Sequence, residues 1–287
     1  MARSIELTKP RTVNFAGSEL VLFRGADGVA RAVDAWCPHM GAHLGQGTVQ
    51  GNALRCALHH HEVGCAHSPW KVEERFGLVF VTRRDHTAPL PDVTNRDDFH
   101  FTTSAPVEID VPWANFVLNG FDLPHLEAVH HRALLKPATI THDVGCMRLE
   151  YETRITGRGP SDLMMKLLSR NHVRARMSCF GTVGIVEANL GWTRSALICG
   201  VSPRPETQSN EAWPTGHSRT WLSFGVPKNS LAPRLRAAMT KWLYLAFLSR
   251  DFVVLRKQRL TLANVDDEST LAVADFLTSL EDWGREG

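Results

Sequence analysis

Two stretches of this 287-residue chain gather the residue types that bind transition metals. The first runs Trp36-Cys37-Pro38-His39-Met40-Gly41-Ala42-His43-Leu44 and resumes at Leu54-Arg55-Cys56-Ala57-Leu58-His59-His60-His61. Its pattern is Cys-x-His, 16 residues, then Cys-x-x-His. Two soft thiolates and two imidazoles suit either a tetrahedral Zn²⁺ or a mixed-ligand iron–sulfur centre. Each Cys/His pair must come from one tight loop, so that two loops clamp the metal between them. The second stretch holds Asn119, Asp122, His125 and His130 in the pattern Asn-x-x-Asp-x-x-His-x-x-x-x-His, with His131 as a competing ligand. Two imidazoles and a carboxylate on one face of a metal leave its other positions open. On a regular helix residues i and i+5 are ~140° apart and cannot share an ion. The spacing therefore predicts a π-bulge or a break between His125 and His130.

The carboxylate must come from far along the chain. In the helical segment around Tyr244–Gln258, Asp251 shares its stripe with Phe247, Leu248, Val254 and Leu255, while Arg250, Arg256 and Lys257 point elsewhere. A carboxylate on an apolar stripe is costly to bury unless it is paired or metal-bound. Asp251 is the candidate third ligand, with a salt bridge to a nearby Arg as the competing role and Asp143 and Glu187 as lesser candidates.

These residues need elements to hold them. Residues 12–34 read as short strands broken at Gly17-Ser18 and Ala26-Asp27-Gly28, residues 36–62 are dense in Gly, Cys and His, and Phe76–Thr82 is a further strand. The segment 85–98, rich in Pro, Asp and Arg, reads as a linker. It divides an all-β first domain, 1–95, from a second, 96–287. The second opens with a strand at Val107–Val111. Residues 113–135 read as helical. Strands follow at Met147–Thr156, Ala175–Phe180, Thr182–Ala188, Arg194–Val201 and Arg219–Phe224. A long helix runs from Pro233 to about Ala263, and an amphipathic one covers Ser269–Trp283. The fold class is α+β.

The bulk numbers exclude several partners. A hydrophobic content of 43% and a charged content of 22% are ordinary for a globular protein. Net charge is +2, which gives no electrostatic case for nucleic acid. No apolar run reaches the ~20 residues of a membrane span, and the first ten residues lack the apolar core of a signal peptide. A cytoplasmic location is the default expectation. In that compartment clustered Cys reads as ligand before disulfide. Cys146, Cys179 and Cys199, scattered among apolar neighbours, are expected to be inert core residues.

The Cys-Pro-His-x-Gly-Ala string, with this gap to Cys-x-x-His, resembles the Rieske family. The Asn119–His130 pattern and the Asp251-x-x-Val254-Leu255-x-x-Gln258 stretch resemble the mononuclear-iron motifs of Rieske non-heme iron oxygenases, of the homotrimeric monooxygenase and demethylase branch. The resemblance covers nearly the whole chain. It implies that Cys37 and Cys56 bind one iron of a [2Fe–2S] cluster and His39 and His59 the other. It implies that His125, His130 and Asp251 bind Fe(II), that Asp122 bridges the cluster histidine and a ligand histidine, and that Asn119 lies near the iron. The implied architecture is a Rieske domain followed by a helix-grip antiparallel sheet around a long helix, in a head-to-tail trimer. The implied activity is hydroxylation, demethylation or desaturation of a small hydrophobic molecule with O₂. Electrons would come from NAD(P)H through a ferredoxin or ferredoxin reductase, since the chain has no nucleotide fingerprint of its own. An electron carrier, a zinc-stabilised binding module and a cis-diol-forming dioxygenase are the other classes open. Two departures stand out: His60-His61 where the family usually has Gly-Trp, and only Glu62–Arg75 before the next strand. Apolar residues at Gly145–Leu149, Met164–Leu168, Met177–Phe180 and Trp192 are expected at the pocket. Arg170, Arg174 and Arg176 are candidates for a carboxylate clamp, a solvated face or a docking patch.

Overall fold

Alternating apolar residues in the first eighty positions settle into nine short strands in a computed structural model of the chain. The model describes all residues except Met1, 16–17, 67, 86–88, 192, 204–216, 230–231, 257, 259 and 284–287. The chain divides into two compact units, residues 1–87 and 88–287, eight residues short of the expected 95/96 boundary. Trp192 and Lys257 lie outside the described residues.

The strands of the first unit are β1 (Ala2–Arg3), β2 (Arg11–Phe15), β3 (Ser18–Arg24), β4 (Ala30–Asp34), β5 (Thr48–Gln50), β6 (Ala53–Arg55), β7 (Glu62–Val63), β8 (Trp70–Arg75) and β9 (Leu78–Arg83). They form three antiparallel three-stranded sheets, ordered β1-β9-β8, β2-β3-β4 and β5-β6-β7. Strand β3 is buried on both faces, and the period of two sorts its side chains into two cores. Leu20 and Leu22 pack with Ala32, Trp70, Val79 and Val81. Val21 and Phe23 pack with Val33, Leu44 and Leu54, and with Cys37 and Cys56. The two cysteines thus stand on a core that the alternation of β3 builds beneath them.

The second unit contains β10 (Phe99–Thr103), β11 (Val107–Ile109), α1 (Trp113–Phe121), α2 (Leu123–Ala128), β12 (Arg132–Leu134), β13 (Thr139–Asp143), β14 (Cys146–Ile155), α3 (Pro160–Ser169), β15 (Val173–Cys179), β16 (Val183–Asn189), β17 (Arg194–Pro203), β18 (Ser218–Pro227), α4 (Pro233–Leu255) and α5 (Glu268–Trp283). Nine strands make one antiparallel sheet along β10-β18-β17-β16-β15-β14-β12, with β11 on β18 and β13 on β14. Leu248 and Leu255 of α4 pack on Leu222 and Phe224 of β18, and α1 joins the same core through Phe116. A second core sets α1 and α5 against Leu149 and Ala175. No helix among the described residues is long and apolar enough to cross a membrane.

The expected strands at 147–225 all form, with ends shifted by at most three residues. Two helical expectations are corrected. Residues 113–135 are two short helices and a strand, because the backbone leaves the helix at Asp122 and again after Ala128. The long helix ends at Leu255, where Arg256 turns to φ −55, ψ 122. Beyond it Asn115 of α1 donates to Gln258 (3.5 Å to the carbonyl, 3.4 Å to Oε1), tying the segment down.

Candidate metal centres

The two Cys/His loops of the first unit share one backbone design. The Cys37 carbonyl accepts from Gly41 N–H (2.8 Å) and the Cys56 carbonyl from His60 N–H (3.0 Å). The Cys37 N–H donates to the Ala42 carbonyl (2.8 Å), and the Cys56 N–H to that of His61 (2.9 Å). Gly41 and His60 therefore hold equivalent positions, and both have positive φ, +70 and +57. Glycine takes that conformation freely, whereas a side chain is strained there. The Rieske resemblance implies a glycine at this position of the second loop, and the chain has His60 there.

Cys37 and Cys56 are buried while His39 and His59 are exposed, with ring centroids 5.1 Å apart. Backbone N–H groups of Leu58 and then His59 point at the Cys56 sulfur and, against the opposing effect of burial, hold its thiol below the usual range. That favours a thiolate donor. Among the described residues, three possible ligand atoms lie within 4.8 Å of one another at one place only, in the second unit. The neighbouring histidines have other engagements. His43 caps a turn through Gly45 N–H (3.1 Å) and packs edge-on to Trp36, and exposed His61 stacks on His39 at 5.7 Å.

In the second unit, His125 Nε2, His130 Nε2 and Asp251 Oδ1 converge. The carboxylate oxygen lies 2.8 Å from His125 and 2.7 Å from His130, and the two imidazole nitrogens are 3.2 Å apart. Two N–H donors on one oxygen would face each other at that separation. A cation between them would instead receive three lone pairs, so the geometry suits a metal better than protons. Asp251 is 3% exposed and His130 2%. Burial disfavours the Asp251 carboxylate, but the adjacent imidazoles of His125 and His130 outweigh it and hold the carboxyl below its usual range. Burial also pushes His130 down against the pull of Asp251. Both directions give the protonation states a metal needs. The Nδ1 of His130 is buried without a partner among the described residues, and its ring stacks on Phe247 at 3.6 Å and 6°.

The expected interruption between the histidines is a break; no π-bulge forms. Helix α2 ends at Ala128, Val129 caps it, and His131 has φ +55. This turns His130 inward and puts His131 outside the cluster. Asp122 lies between α1 and α2, and its Oδ1 accepts the backbone N–H of His125 at 2.8 Å. This bond caps the helix that carries His125. Asn119 donates to Asp251 Oδ1 at 3.2 Å. Asp251 has no Arg partner among the described ion pairs, while exposed Asp143 pairs with Arg148, and Glu187 accepts from Thr94 N–H (2.9 Å).

One part of the site escaped the sequence reading. Asp162, 1% exposed, pairs with Arg132 (3.1 Å) and Arg250 (3.0 Å). Arg132 also donates to the carbonyls of His130 (3.0 Å) and His131 (3.3 Å). Arg250 reaches the carbonyls of Val129 (3.5 Å) and His130 (3.4 Å). The broken turn that presents His130 is therefore gripped by two guanidiniums anchored on one buried carboxylate. Gly157 is obligatory beside it, since a Cβ there would collide with the Asp162 carboxylate. Arg250 was expected to point elsewhere; the sequence signal for its role is only that an Arg adjoins the ligand.

His125 and Asp251 open onto a cavity between α4 and the sheet, walled mainly by apolar groups such as Leu126, Met165, Leu168, Met177, Val186 and Leu197. Of the expected pocket residues, Met165, Leu168 and Met177 line it. Met147 and Leu149 are fully buried in core, because β14 points them at α1 and α5. Arg174 and Arg176 pair with Glu152 and Glu150 across β14–β15 on an exposed face and form no clamp in the cavity. The cysteines expected to be inert are buried, and burial pushes Cys146 up to about 11 and Cys179 to about 12. Cys199 is raised further, and it lines the cavity as well as packing in the core.

Residues 1–71 match the Rieske [2Fe-2S] domain model. The chain is 30% identical over 155 residues to cholesterol 7-desaturase nvd of Bombyx mori, an alignment covering 46% of this chain and 34% of that protein. It is 30% identical over 149 residues to a probable 3-ketosteroid-9-alpha-monooxygenase, oxygenase component, of Rhodococcus rhodochrous, covering 43% and 37%. A 4beta-methylsterol monooxygenase of Methylococcus capsulatus is 27% identical over 191 residues, covering 55% and 52%. The chain thus spans about a third to a half of these relatives. Two solved structures share its fold over the whole chain. One is dicamba monooxygenase bound to dicamba (TM-score 0.70, 19% identity, 97% of that chain covered). The other is NdmA of Pseudomonas putida CBB5 with caffeine (TM-score 0.72, 19% identity, 90% of that chain covered).

Proposed function

We propose that this chain, whose residues 1–71 match the Rieske [2Fe-2S] domain and whose fold is shared with dicamba monooxygenase, is the terminal component of a Rieske oxygenase. The observation that carries this is the convergence of His125, His130 and Asp251 at the wall of an apolar cavity. We assign Cys37 and Cys56 to one iron of the cluster, His39 and His59 to the other, and His125, His130 and Asp251 to Fe(II). When bound, the cluster supplies single electrons and the mononuclear iron supplies O₂ activation.

The residues of the chain do the positioning. Asp122 holds the start of α2 and so the ring of His125. Asn119 and the two imidazoles fix one oxygen of Asp251. Phe247 fixes the plane of His130, and the apolar walls exclude water from the substrate. The exposed edges of His39 and His59, with exposed Trp36, Met40 and Leu58 around them, suit entry and exit of electrons. A ferredoxin or ferredoxin reductase, itself reduced by NAD(P)H, is the proposed donor. The proposed assembly is a head-to-tail trimer in which the cluster loops of one subunit meet the Asp122 region of the next. The substrate class we propose is a fused-ring hydrophobic molecule, oxidised by monooxygenation, demethylation or desaturation. The names of the sterol and ketosteroid relatives support it, and so does the cavity's length. It runs along α4 from Arg236 to Asp251, ~22 Å of helix.

The test is iron and acid-labile sulfide per chain on anaerobically purified protein, with EPR of the reduced form. About three irons and two sulfides with a Rieske signal are expected. In Asp251→Ala about one iron per chain should disappear and the cluster signal persist. Zinc without sulfide, or unchanged iron and turnover in that variant, would overturn the assignment.

A further inference from the structure

Five of the α4 residues that line the cavity, Arg236, Thr240, Tyr244, Phe247 and Asp251, form one stripe of the helix. At 100° per residue these five positions fall within about 80° of one another. Tyr244 and Asp251 are two turns apart on this stripe, ~10.5 Å along the axis. The chain has only two tyrosines, and both Tyr151 and Tyr244 line the cavity.

Tyr244 Oη lies 3.0 Å from Ser195 Oγ of β17. Two hydroxyls that share one hydrogen bond keep one O–H and several lone pairs in hand. Burial pushes the Tyr244 phenol up to about 12, so it retains its proton. Apolar groups flank the pair, Val186 and Leu197 on the strands and Phe247 and Leu248 on the next turn of α4, with Thr240 one turn before. Arg194, which also lines the cavity, is engaged by Asp98 at 2.9 Å. A hydroxyl pair that can both donate and accept, set in an apolar wall, matches a neutral oxygen.

We propose that Tyr244 and Ser195 are the specificity-determining contact for substrate. They hold a ketone or hydroxyl of an otherwise apolar fused-ring molecule on the order of 10 Å from the atom presented to the metal. This inference rests on the reading of His125, His130 and Asp251 as the metal site.

The experiment uses the metal-loaded full chain and three steroids: androstanedione and the two androstanones that each lack one of its ketones. Binding is followed by quenching of tryptophan fluorescence. One neutral hydrogen bond corresponds to about a five- to tenfold difference in Kd. The dione should bind that much tighter than one of the two monoketones. Tyr244→Phe should shrink the ratio, and Tyr244→Phe with Ser195→Ala should bring it near one, with iron and sulfide unchanged. Equal binding of all three steroids to the unaltered protein, or a ratio that survives the double substitution, overturns the contact. Absence of any steroid binding overturns the substrate class. Asp251→Ala separates this from the metal reading: it should lose the mononuclear iron yet keep the affinity ratio, because the hydroxyl pair is untouched.

Discussion

Replacing Asp162 with Asn removes one negative charge from a buried triad and alters little else. The side chain keeps its volume and one acceptor oxygen. With Asp162 ionised, the triad of Arg132, Arg250 and Asp162 carries +1; with Asn it carries +2. The Arg132 pair is buried on both sides (9% and 1% side-chain exposure), while Arg250 is a quarter exposed (25%). Breaking a buried pair costs about 3 kcal/mol or more, and a part-exposed one below about 1 kcal/mol. The expected loss is therefore about 3–4 kcal/mol, read as a lower denaturation midpoint at unchanged slope. The same change should loosen the carbonyls of Val129, His130 and His131. Groups that support metal ligands typically cost ten- to a hundredfold in affinity when removed, so about that drop in affinity for the mononuclear metal is expected. The cluster, in the other unit, should stay fully loaded. The pH dependence follows with its sign. Burial opposes ionisation of Asp162, but Arg250 and Arg132 hold its folded pKa below the unfolded value. Its stabilisation is then complete above about pH 4 and is lost as pH falls through the folded pKa. Asn at this position should flatten that limb. A variant within about 0.5 kcal/mol of the parent and with full mononuclear metal would refute the clamp.

Three further outcomes are expected. His60→Gly relieves a side chain held at φ +57, and should raise the stability of the first unit by about 1 kcal/mol with cluster content unchanged, checked by the melting temperature of the loaded protein. Phe247→Ala removes the ring stacked on His130 and should destabilise by about 3 kcal/mol and weaken mononuclear metal binding, measured by denaturation and metal titration. The Glu152 carboxyl is held at about 2 by Lys136, then His172 and Arg174, so its contribution should be present above about pH 4.3 and lost towards pH 2. The melting-temperature gap between Glu152→Gln and the parent should close over that window; a gap that persists at the acid end argues against the ion-pair cluster.

How much of this was legible depends on how far each signal reaches. The Cys37/His39 and Cys56/His59 loops could be found because both members of each pair sit in one turn, where spacing alone fixes geometry. Asp251 was legible for a different reason: a carboxylate on the stripe of Phe247 and Leu248 conflicts with the helix pattern unless something binds it. The short strands β5, β6 and β7 were hidden because two- and three-residue pairings carry no periodicity. Asp162 was invisible because its partners lie 30 and 88 residues away, and nothing local marks a carboxylate at the third position of α3 as more than a helix-starting residue.

The helix break between His125 and His130 shows where the two kinds of signal meet. Sequence spacing says that the two imidazoles cannot share an ion on a continuous helix, so some interruption is required. It does not say which, and a π-bulge would have needed no outside help. A terminated helix does need it, because the carbonyls just beyond the end of α2 have no following turn to bond. Arg132 and Arg250 supply those partners at Val129, His130 and His131. Two guanidiniums side by side then require a carboxylate, and Asp162 is that carboxylate. The site therefore follows as a chain of obligations, from ligand spacing to helix end to orphaned carbonyls to the Arg–Asp–Arg clamp, and breaking the last link should be felt at the first.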